Sequence, residues 1–133
     1  MFGKPAPKAS FLGVAPQFAV ADVVQTAEYY CRVLGFRNLG YFLDPPVFAM
    51  VERDGIEFHF GKTDLAPPAG NATRRKLGTD AYIRVAGLDR LVEEFRANGA
   101  AIVEGPIKRI YGIREFVVED CNGFKIAFGE DEG

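Results

Sequence analysis

Apolar and polar residues alternate along much of the chain, as they do in strands that bury one face. In IEFHFG, for example, Ile56, Phe58 and Phe60 alternate with polar neighbours. Residues that favour turns bound most of these runs. The first strand is expected to extend over Phe11–Ala21. The predicted strands are GVAPQFAV, FRNLGYFL, PVFAMVE, IEFHFG, DAYIRV, AIVEGPIKR, IREFVVE and FKIAFG.

Two segments instead repeat apolar residues every three or four positions, which predicts helices with one buried face. The first helix follows Asp22, which is expected to cap it with Gln25 replying, and it ends at Gly35. The second ends at Asn98-Gly99, which predicts a left-handed cap. The buried stripes are expected at Val23, Ala27, Tyr30 and Leu34 in the first helix and at Leu88, Leu91, Val92 and Phe95 in the second.

The chain contains nearly the same pattern twice. VERDGIEFHFGK (51–62) and VVEDCNGFKIAFGE (117–130) both read as a strand, an acidic turn ending in glycine, and a strand closing on Phe-Gly. Gly55 and Gly123 lie 68 positions apart, and the two helical segments lie 64 or 65 positions apart. Each half is therefore predicted to be a βαβββ module of about 65 residues, which alone would be too small to close a core.

The predicted fold is α+β, with two tandem βαβββ modules that form a curved mixed sheet around a central cleft and carry a helix on each outer face. Residues 1–10 are expected to form an N-terminal arm, and residues 11–130 a single domain. Within that domain, modules are predicted at 11–61 and 79–130. The linker between them, 62–78, is rich in alanine, proline, glycine and basic residues.

Composition narrows the class of protein. The chain has 133 residues, 48% of them hydrophobic, and a net charge of −2, so neither a nucleic-acid nor a membrane partner is expected. No apolar run reaches the roughly 18 residues that a membrane-spanning helix needs. Cys31 and Cys121 are expected to be reduced thiols of a cytoplasmic protein. The basic run Arg74-Arg75-Lys76 is expected to be a solvated loop.

Strand alternation also predicts which side chains face the cleft. Glu57 and His59, the one histidine of the chain, should face it, because Ile56, Phe58 and Phe60 are expected beneath the helix. By the same logic Val14, Phe18 and Val20 pack beneath the first helix and Phe124, Ile126 and Phe128 beneath the second, while Ala15, Gln17, Ala19, Asp80, Tyr82, Arg84, Lys125 and Ala127 face the cleft.

These features resemble the vicinal oxygen chelate superfamily, also called the glyoxalase/bleomycin resistance protein/dioxygenase superfamily. The resemblance extends from Phe11 to Glu130. It rests on the opening VADVVQTAEYYCRVLGF, on the duplicated pattern, and on YGIREFVVEDCNGFKIAFGE, which is similar to the family's closing stretch. It implies the glyoxalase/bleomycin resistance/dihydroxybiphenyl dioxygenase fold. It does not imply one activity, because this fold hosts isomerases, dioxygenases, thiol transferases and binding proteins.

The resemblance also implies where a metal would lie. Metal-dependent members hold a divalent cation with four cleft-facing side chains, and the matching positions here are Ala15, His59, Asp80 and Ala127. A catalytic cation normally has at least three protein ligands, and alanine has no donor atom. We therefore expect no metal and no other cofactor, with His59 and Asp80 as the candidates for a residual site.

In lacking these metal ligands, the chain resembles the bleomycin-resistance-type branch, whose members bind a small molecule in the cleft. The resemblance to that branch implies a homodimer in which a proline-containing N-terminal arm crosses to the partner, and Pro5 and Pro7 suit such an arm. The function expected from it is sequestration of an aromatic or glycopeptide-like ligand, as in antibiotic resistance.

The alternative is an enzyme, either a glyoxalase-like lyase or isomerase or a ring-cleaving dioxygenase. It would use a residual metal site at His59 and Asp80, or metal-free acid–base chemistry by His59, Asp80 or Glu57. Glu57, Gln17 or Tyr82 could complete a metal site only after a shift of register. A shift by one residue would turn the wrong face of the strand inward.

An aromatic pocket with a few polar groups would suit a flat organic ligand, with Arg84 or Arg114 meeting a carboxylate or sulfate. The direction of IREFVVE is open, because either Arg114 with Phe116 or Glu115 with Val117 could face the cleft. The candidate ligand-binding residues are Phe42, Phe48, His59, Tyr82, Arg84, Tyr111, Arg114 and Phe116.

Overall fold

The computed structural model describes residue 3, residues 8–65, residue 70 and residues 78–132. This part of the chain forms both of the predicted βαβββ modules. The elements are β1 Gln17–Val20, α1 Val23–Arg32, β2 Arg37–Phe42, β3 Phe48–Arg53, β4 Ile56–Lys62, β5 Ala81–Arg84, α2 Leu88–Ala97, β6 Ala101–Lys108, β7 Ile113–Glu119 and β8 Lys125–Asp131.

Each module builds one four-stranded sheet. The strand orders are β1-β4-β3-β2 and β5-β8-β7-β6, so the second sheet repeats the topology of the first. In both sheets the first strand pairs in parallel with the last strand of its module, while the remaining pairs are antiparallel. The α+β fold of two tandem modules with mixed sheets is therefore confirmed.

Helix α1 is capped by Asp22 and packs as its sequence predicts. The Asp22 side chain accepts a hydrogen bond from the backbone N–H of Gln25 at 3.0 Å, which satisfies one of the unpaired donors at the helix start. The chain leaves the helix through Gly35, whose φ of +75° is unfavourable for other residues. The predicted stripe is buried: Val23, Ala27, Tyr30 and Leu34.

Helix α2 is capped in a way that the sequence did not indicate. Its N-cap residue is Gly87, which has no side chain to accept a hydrogen bond. Glu130 of β8 accepts the backbone N–H groups of Gly87 and Leu88 instead, at 2.9 and 3.1 Å. These two bonds stabilise the carboxylate and lower the pKa of Glu130. The helix is thereby fixed to the last strand of its own sheet.

The two modules join through their helix-bearing sides. Phe18 of β1 stacks on Phe124, which precedes β8, with 4.2 Å between ring centroids. The Tyr30 hydroxyl of α1 donates to the buried carboxylate of Asp120 in the β7–β8 turn, at 2.6 Å. One hydrophobic core therefore includes residues of both modules. The opposite face of each sheet is here called the open face, and no helix of the described residues covers it.

The first strand is shorter than predicted. It begins at Gln17, so the prediction of Phe11–Ala21 is wrong; in this register residues 11–13 would lie beyond the first residue of β4 and have no partner in it. Parallel pairing of Gln17 with His59 places Val14 opposite Ile56, the first residue of β4. Val14 was expected beneath the helix, but it is 94% exposed.

Ile56 also differs from its prediction. It is 42% exposed rather than packed beneath α1, because it lies at the start of β4 next to the turn at Asp54-Gly55. Its side chain instead lines cavities at the junction with β5.

Several expectations concern residues that the structure describes only in part. The predicted arm and linker lie largely outside the described residues, and Arg74-Arg75-Lys76 lies wholly outside them. Both cysteines are free thiols, as expected. Neither helix in the described ranges is long and apolar enough to cross a membrane.

Candidate functional site

On the open face of the first module, β4 presents a histidine–carboxylate pair. His59 Nε2 lies 2.9 Å from Glu57 Oε1, and the Phe48 ring of β3 meets the imidazole edge-on with 5.7 Å between centroids. In the neutral ring Nε2–H donates to Glu57, and Nδ1 remains an acceptor. The pair lines a cavity of about 310 Å³ with residues 12–15 and Gly55. Both side chains lie on the face predicted for them.

The open face of the second module carries a larger cavity of about 420 Å³. Its floor crosses the sheet through Tyr82, Ala127, Val117 and Glu104, which are direct neighbours in the strand register. Ala127 occupies the place that matches His59 in the first module. The two open faces therefore offer different chemistry, although their backbones repeat.

Glu115 is the buried acid of this second cavity. It is 7% exposed, its Oε1 accepts a hydrogen bond from the Tyr111 hydroxyl, and Arg109 Nε lies 3.7 Å from the same oxygen. That hydrogen bond is the largest cause of the raised pKa of Tyr111. The pKa of Tyr82 is raised first by burial and then by the charge of Glu115. At neutral pH both phenols are therefore hydrogen-bond donors.

A third cavity lies where the modules meet. It has a volume of about 430 Å³ and is lined by residues 14–16, Ile56 and Phe58 from the first module and by residues 80–84 from the second. Most of its walls are apolar side chains, with Asp80 and Arg84 as the charged ones. It brings Ala15 and Asp80, two of the positions that the resemblance implies for a metal, to one cavity.

The four implied metal positions do not fit a catalytic divalent cation. Ala15 and Ala127 have no donor atom, and Asp80 Oδ2 accepts the backbone N–H of Lys125 at 2.9 Å. Across residues 8–65 and 78–132, no three His, Cys, Asp or Glu side chains cluster closely enough to hold a metal ion. Two carboxylate or imidazole donors are fewer than such a site normally uses.

The structure brings most of the predicted wall residues to the open faces. Phe48 and His59 lie on the first, and Tyr82 and Arg84 on the second. Phe42, at the edge of the first sheet, pairs with Phe48 and is exposed. Tyr111 lies in the β6–β7 turn and reaches the second cavity through its bond to Glu115.

Arg114 and Phe116 do not face the cavities, so the open question about β7 is answered in favour of Glu115 and Val117. Phe116 is fully buried and stacks on Phe128 beneath α2, and Arg114 pairs with Asp89 of α2 at 2.8 Å. The direction follows from pairing, because Phe116 lies opposite Phe128 in the register and must share its face.

Sequence reasoning missed Glu104 and Arg109. The two side chains form an ion pair at the rim of the second cavity. Strand β6 shifts register twice along β7, once between Ile102 and Glu104 and once between Glu104 and Ile107, so simple alternation does not predict which of its residues face the cavity. Pro106 within the strand was the one signal of that irregularity.

Comparison with known proteins gives the family. The model of the Glyoxalase/Bleomycin resistance protein/Dioxygenase superfamily matches residues 14–128. No curated protein matches the chain.

Solved structures have the same fold. TioX from Micromonospora sp. ML1 is 20% identical with a TM-score of 0.72, and the match covers 91% of this chain and 99% of that one. A bleomycin-binding protein from Streptomyces verticillus, complexed with copper(II)-bleomycin, is 26% identical with a TM-score of 0.68 and coverage of 91% and 97%. A putative glyoxalase family protein from Bacillus anthracis is 17% identical with a TM-score of 0.68 and coverage of 95% and 100%. With its two βαβββ modules and a family match over most of its length, the chain belongs to the glyoxalase/bleomycin resistance protein/dioxygenase superfamily.

Proposed function

We propose that this chain is a metal-free small-molecule-binding protein that sequesters an aromatic or glycopeptide-like ligand, as in antibiotic resistance. The observation that carries the proposal is the chemistry at the implied metal positions. Two of them are alanines, and Asp80 already accepts a backbone hydrogen bond. Binding and holding a ligand requires no catalytic cation, whereas metal-dependent members of the superfamily need one.

The open faces support a ligand that combines flat rings with hydrogen-bonding groups. Phe48 and Tyr82 offer ring surfaces, and His59 with its Glu57 partner offers a polarised imidazole. Arg84 is exposed at the junction cavity, where it can meet an anionic group of the ligand. Aromatic walls with a few convergent polar groups are typical of small-molecule sites.

A homodimer is part of the proposal. Phe11, Leu12 and Val14 are 105%, 97% and 94% exposed. Soluble monomers seldom expose such a contiguous apolar segment. A second copy would cover this segment.

Bleomycin is the first ligand to test, because the Streptomyces verticillus neighbour is complexed with copper(II)-bleomycin at 26% identity. The protein, dialysed against a chelator, is titrated calorimetrically with bleomycin and with copper(II)-bleomycin, and the bound compound is then recovered and weighed by mass spectrometry. We expect saturable binding and recovery of the unchanged compound.

His59→Ala is expected to weaken this binding by roughly tenfold, a loss of about 1.4 kcal/mol. Asp89→Asn, on the exposed side of α2, is the control and should bind like the wild type. The proposal fails if neither bleomycin form nor any of a panel of flat aromatic compounds binds, or if the bound compound is recovered chemically altered.

The contact between His59 and Glu57 favours a second candidate, metal-free acid–base catalysis. A carboxylate 2.9 Å from an imidazole can orient it as a general base within an accessible cavity. In that case the recovered compound would be converted, and Glu57→Gln would slow conversion more than it weakens binding. If Glu57→Gln weakens binding and no compound is converted, sequestration is favoured.

A further inference from the structure

Two glycines occupy matching places on the open faces, near the ends of β4 and β8. Gly61 of β4 and Gly129 of β8 each follow a core phenylalanine, Phe60 or Phe128. Glycine within a strand is destabilising, and it often marks a place where another group approaches the backbone closely. The question for each glycine is therefore which group approaches it.

For Gly129 the answer lies in the chain itself. A Cβ at this position would overlap the hydroxyl oxygen of Tyr82 and come within 2.7 Å of its Cζ and 3.2 Å of Ile113 Cγ2. The hydroxyl end of the Tyr82 phenol thus lies directly on the glycine. An aromatic ring that covers a glycine from a neighbouring strand is a known way of stabilising a sheet.

For Gly61 the same place is bare. A Cβ there would meet no atom of the described residues within 4 Å, and its φ lies outside the positive range that favours glycine. The residue that corresponds to Tyr82 is Gln17, because Gln17 pairs with His59 of β4 as Tyr82 pairs with Ala127 of β8. Neither backbone conformation nor packing within the described chain accounts for this glycine.

The surroundings of Gly61 suit a planar ring. In the register Gly61 lies between Ala19 of β1 and Phe48 of β3. Ala19 and Gly61 therefore form a flat floor beside the aromatic side chain of Phe48. The Phe48 ring meets His59 edge-on at 5.7 Å, which places two ring systems along one side. We name this floor of Ala19 and Gly61 the Gly61 shelf.

We infer that the Gly61 shelf binds a planar aromatic group of the ligand, in the place that the Tyr82 ring occupies in the second module. The inference rests on the proposed function for the identity of the molecule that carries the ring. Aromatic rings pack favourably edge to face at centroid distances of about 4.5–7 Å. Phe48 and His59 are the two rings beside the shelf against which a ligand ring could pack in this way. The duplicated backbone thus offers two equivalent shelves, one filled by the chain and one left for a ligand.

The test uses a ring that is independent of the natural ligand. Amide NMR spectra of the full chain are recorded with 2-naphthoate and with decahydro-2-naphthoate, which has the same charge and a similar size but no aromatic ring. We expect 2-naphthoate to shift the signals of Ala19, Gly61 and Phe48 through its ring current, and the saturated acid to leave them nearly unchanged.

Three variants sharpen the test. Gln17→Tyr would fill the Gly61 shelf from within and is expected to weaken 2-naphthoate binding roughly tenfold. Gln25→Tyr makes the same change at an exposed position of α1 and should leave binding unchanged. Tyr82→Gln uncovers the second shelf, so new shifts should appear at Gly129.

The inference is overturned if 2-naphthoate shifts other regions, or if Gln17→Tyr binds it as the wild type does. It is also overturned if decahydro-2-naphthoate shifts the signals of Ala19, Gly61 and Phe48 as strongly as 2-naphthoate does, because the shelf would then not require an aromatic ring. This test can fail independently of the proposed function. If bleomycin binds but 2-naphthoate does not shift the signals of the Gly61 shelf, only the shelf inference is contradicted. If those signals shift but bleomycin does not bind, only bleomycin is excluded as the ligand.

Discussion

At the scale of single residues, the two modules differ most where their side chains face away from the helices. Tyr82 and Gln17 occupy matching places, as do Ala127 and His59. The second open face therefore holds a phenol over a glycine, while the first presents an imidazole beside a glycine that no described side chain covers. These differences, rather than the shared backbone, determine what each face can bind.

Gly129→Ala is expected to destabilise the chain by about 1–3 kcal/mol, because its methyl group would overlap the Tyr82 phenol. Gly61→Ala should be neutral or stabilising by up to about 1 kcal/mol, since nothing described lies near it. Urea unfolding measures both. Tyr82→Ala in the Gly129→Ala background should recover most of the loss, and a double variant as unstable as Gly129→Ala would contradict this packing.

Asp120 gives a second prediction, for pH dependence. Burial raises the pKa of this carboxyl, although it accepts hydrogen bonds from Tyr30 and two backbone N–H groups. The folded chain thus binds the proton more tightly than the unfolded chain. The resulting stability is fully present below the ordinary aspartate pKa of about 3.9 and is lost as pH rises through the raised value.

Urea unfolding across this range should therefore show a fall in stability with rising pH that Asp120→Asn reduces. Asp54→Asn changes an exposed carboxyl and is the matched control. An unchanged pH slope in Asp120→Asn would show that the carboxyl is not the titrating group.

At the scale of elements, alternation predicted the faces of β4 and β8 except at Ile56, because both strands pair regularly on both sides. It failed where a partner decides the outcome. Val14 is exposed because β4 ends opposite it, and β6 shifts its register around Gly105-Pro106. The cap of α2 comes from Glu130 on another strand, a contact that local sequence does not encode.

Glu130→Gln tests that cap. The two N–H bonds lower the pKa of Glu130, so its stabilising contribution is present above the ordinary glutamate pKa of about 4.3 and is lost as pH falls through the lowered value. The variant should be less stable than the wild type at neutral pH, with a smaller difference in acid, as measured by urea unfolding. Glu93→Gln, exposed on α2, is the control; equal losses in both variants would argue against the cap.

At the scale of the whole molecule, the helix-side contacts bury apolar surface from both modules in one core, and no helix of the described residues covers either open face. Much of the apolar surface that remains exposed lies in residues 11–14 and in β2 with the turn after it. The sequence could predict the duplication that produces these faces. It could not predict how they are completed, because that depends on what binds to them.

A dimer is the expected consequence. Sedimentation velocity should show a dimer at micromolar concentration, because burial of Phe11, Leu12 and Val14 removes apolar surface from water. Replacing these three residues by serine should shift the equilibrium toward monomer. Ile110 is also fully exposed, and Ile110→Ser serves as the control. A wild-type monomer at the highest concentrations would contradict the proposed assembly.

Whether the chain holds a metal is measured by elemental analysis of the purified protein, followed by calorimetric titration with nickel, zinc, manganese and iron(II) at neutral pH. We predict no stoichiometric binding, because Ala15 and Ala127 offer no donors beside His59 and Asp80. Tight binding of one metal ion per chain that is lost in His59→Ala or Asp80→Ala would contradict the account and identify a metal-dependent enzyme.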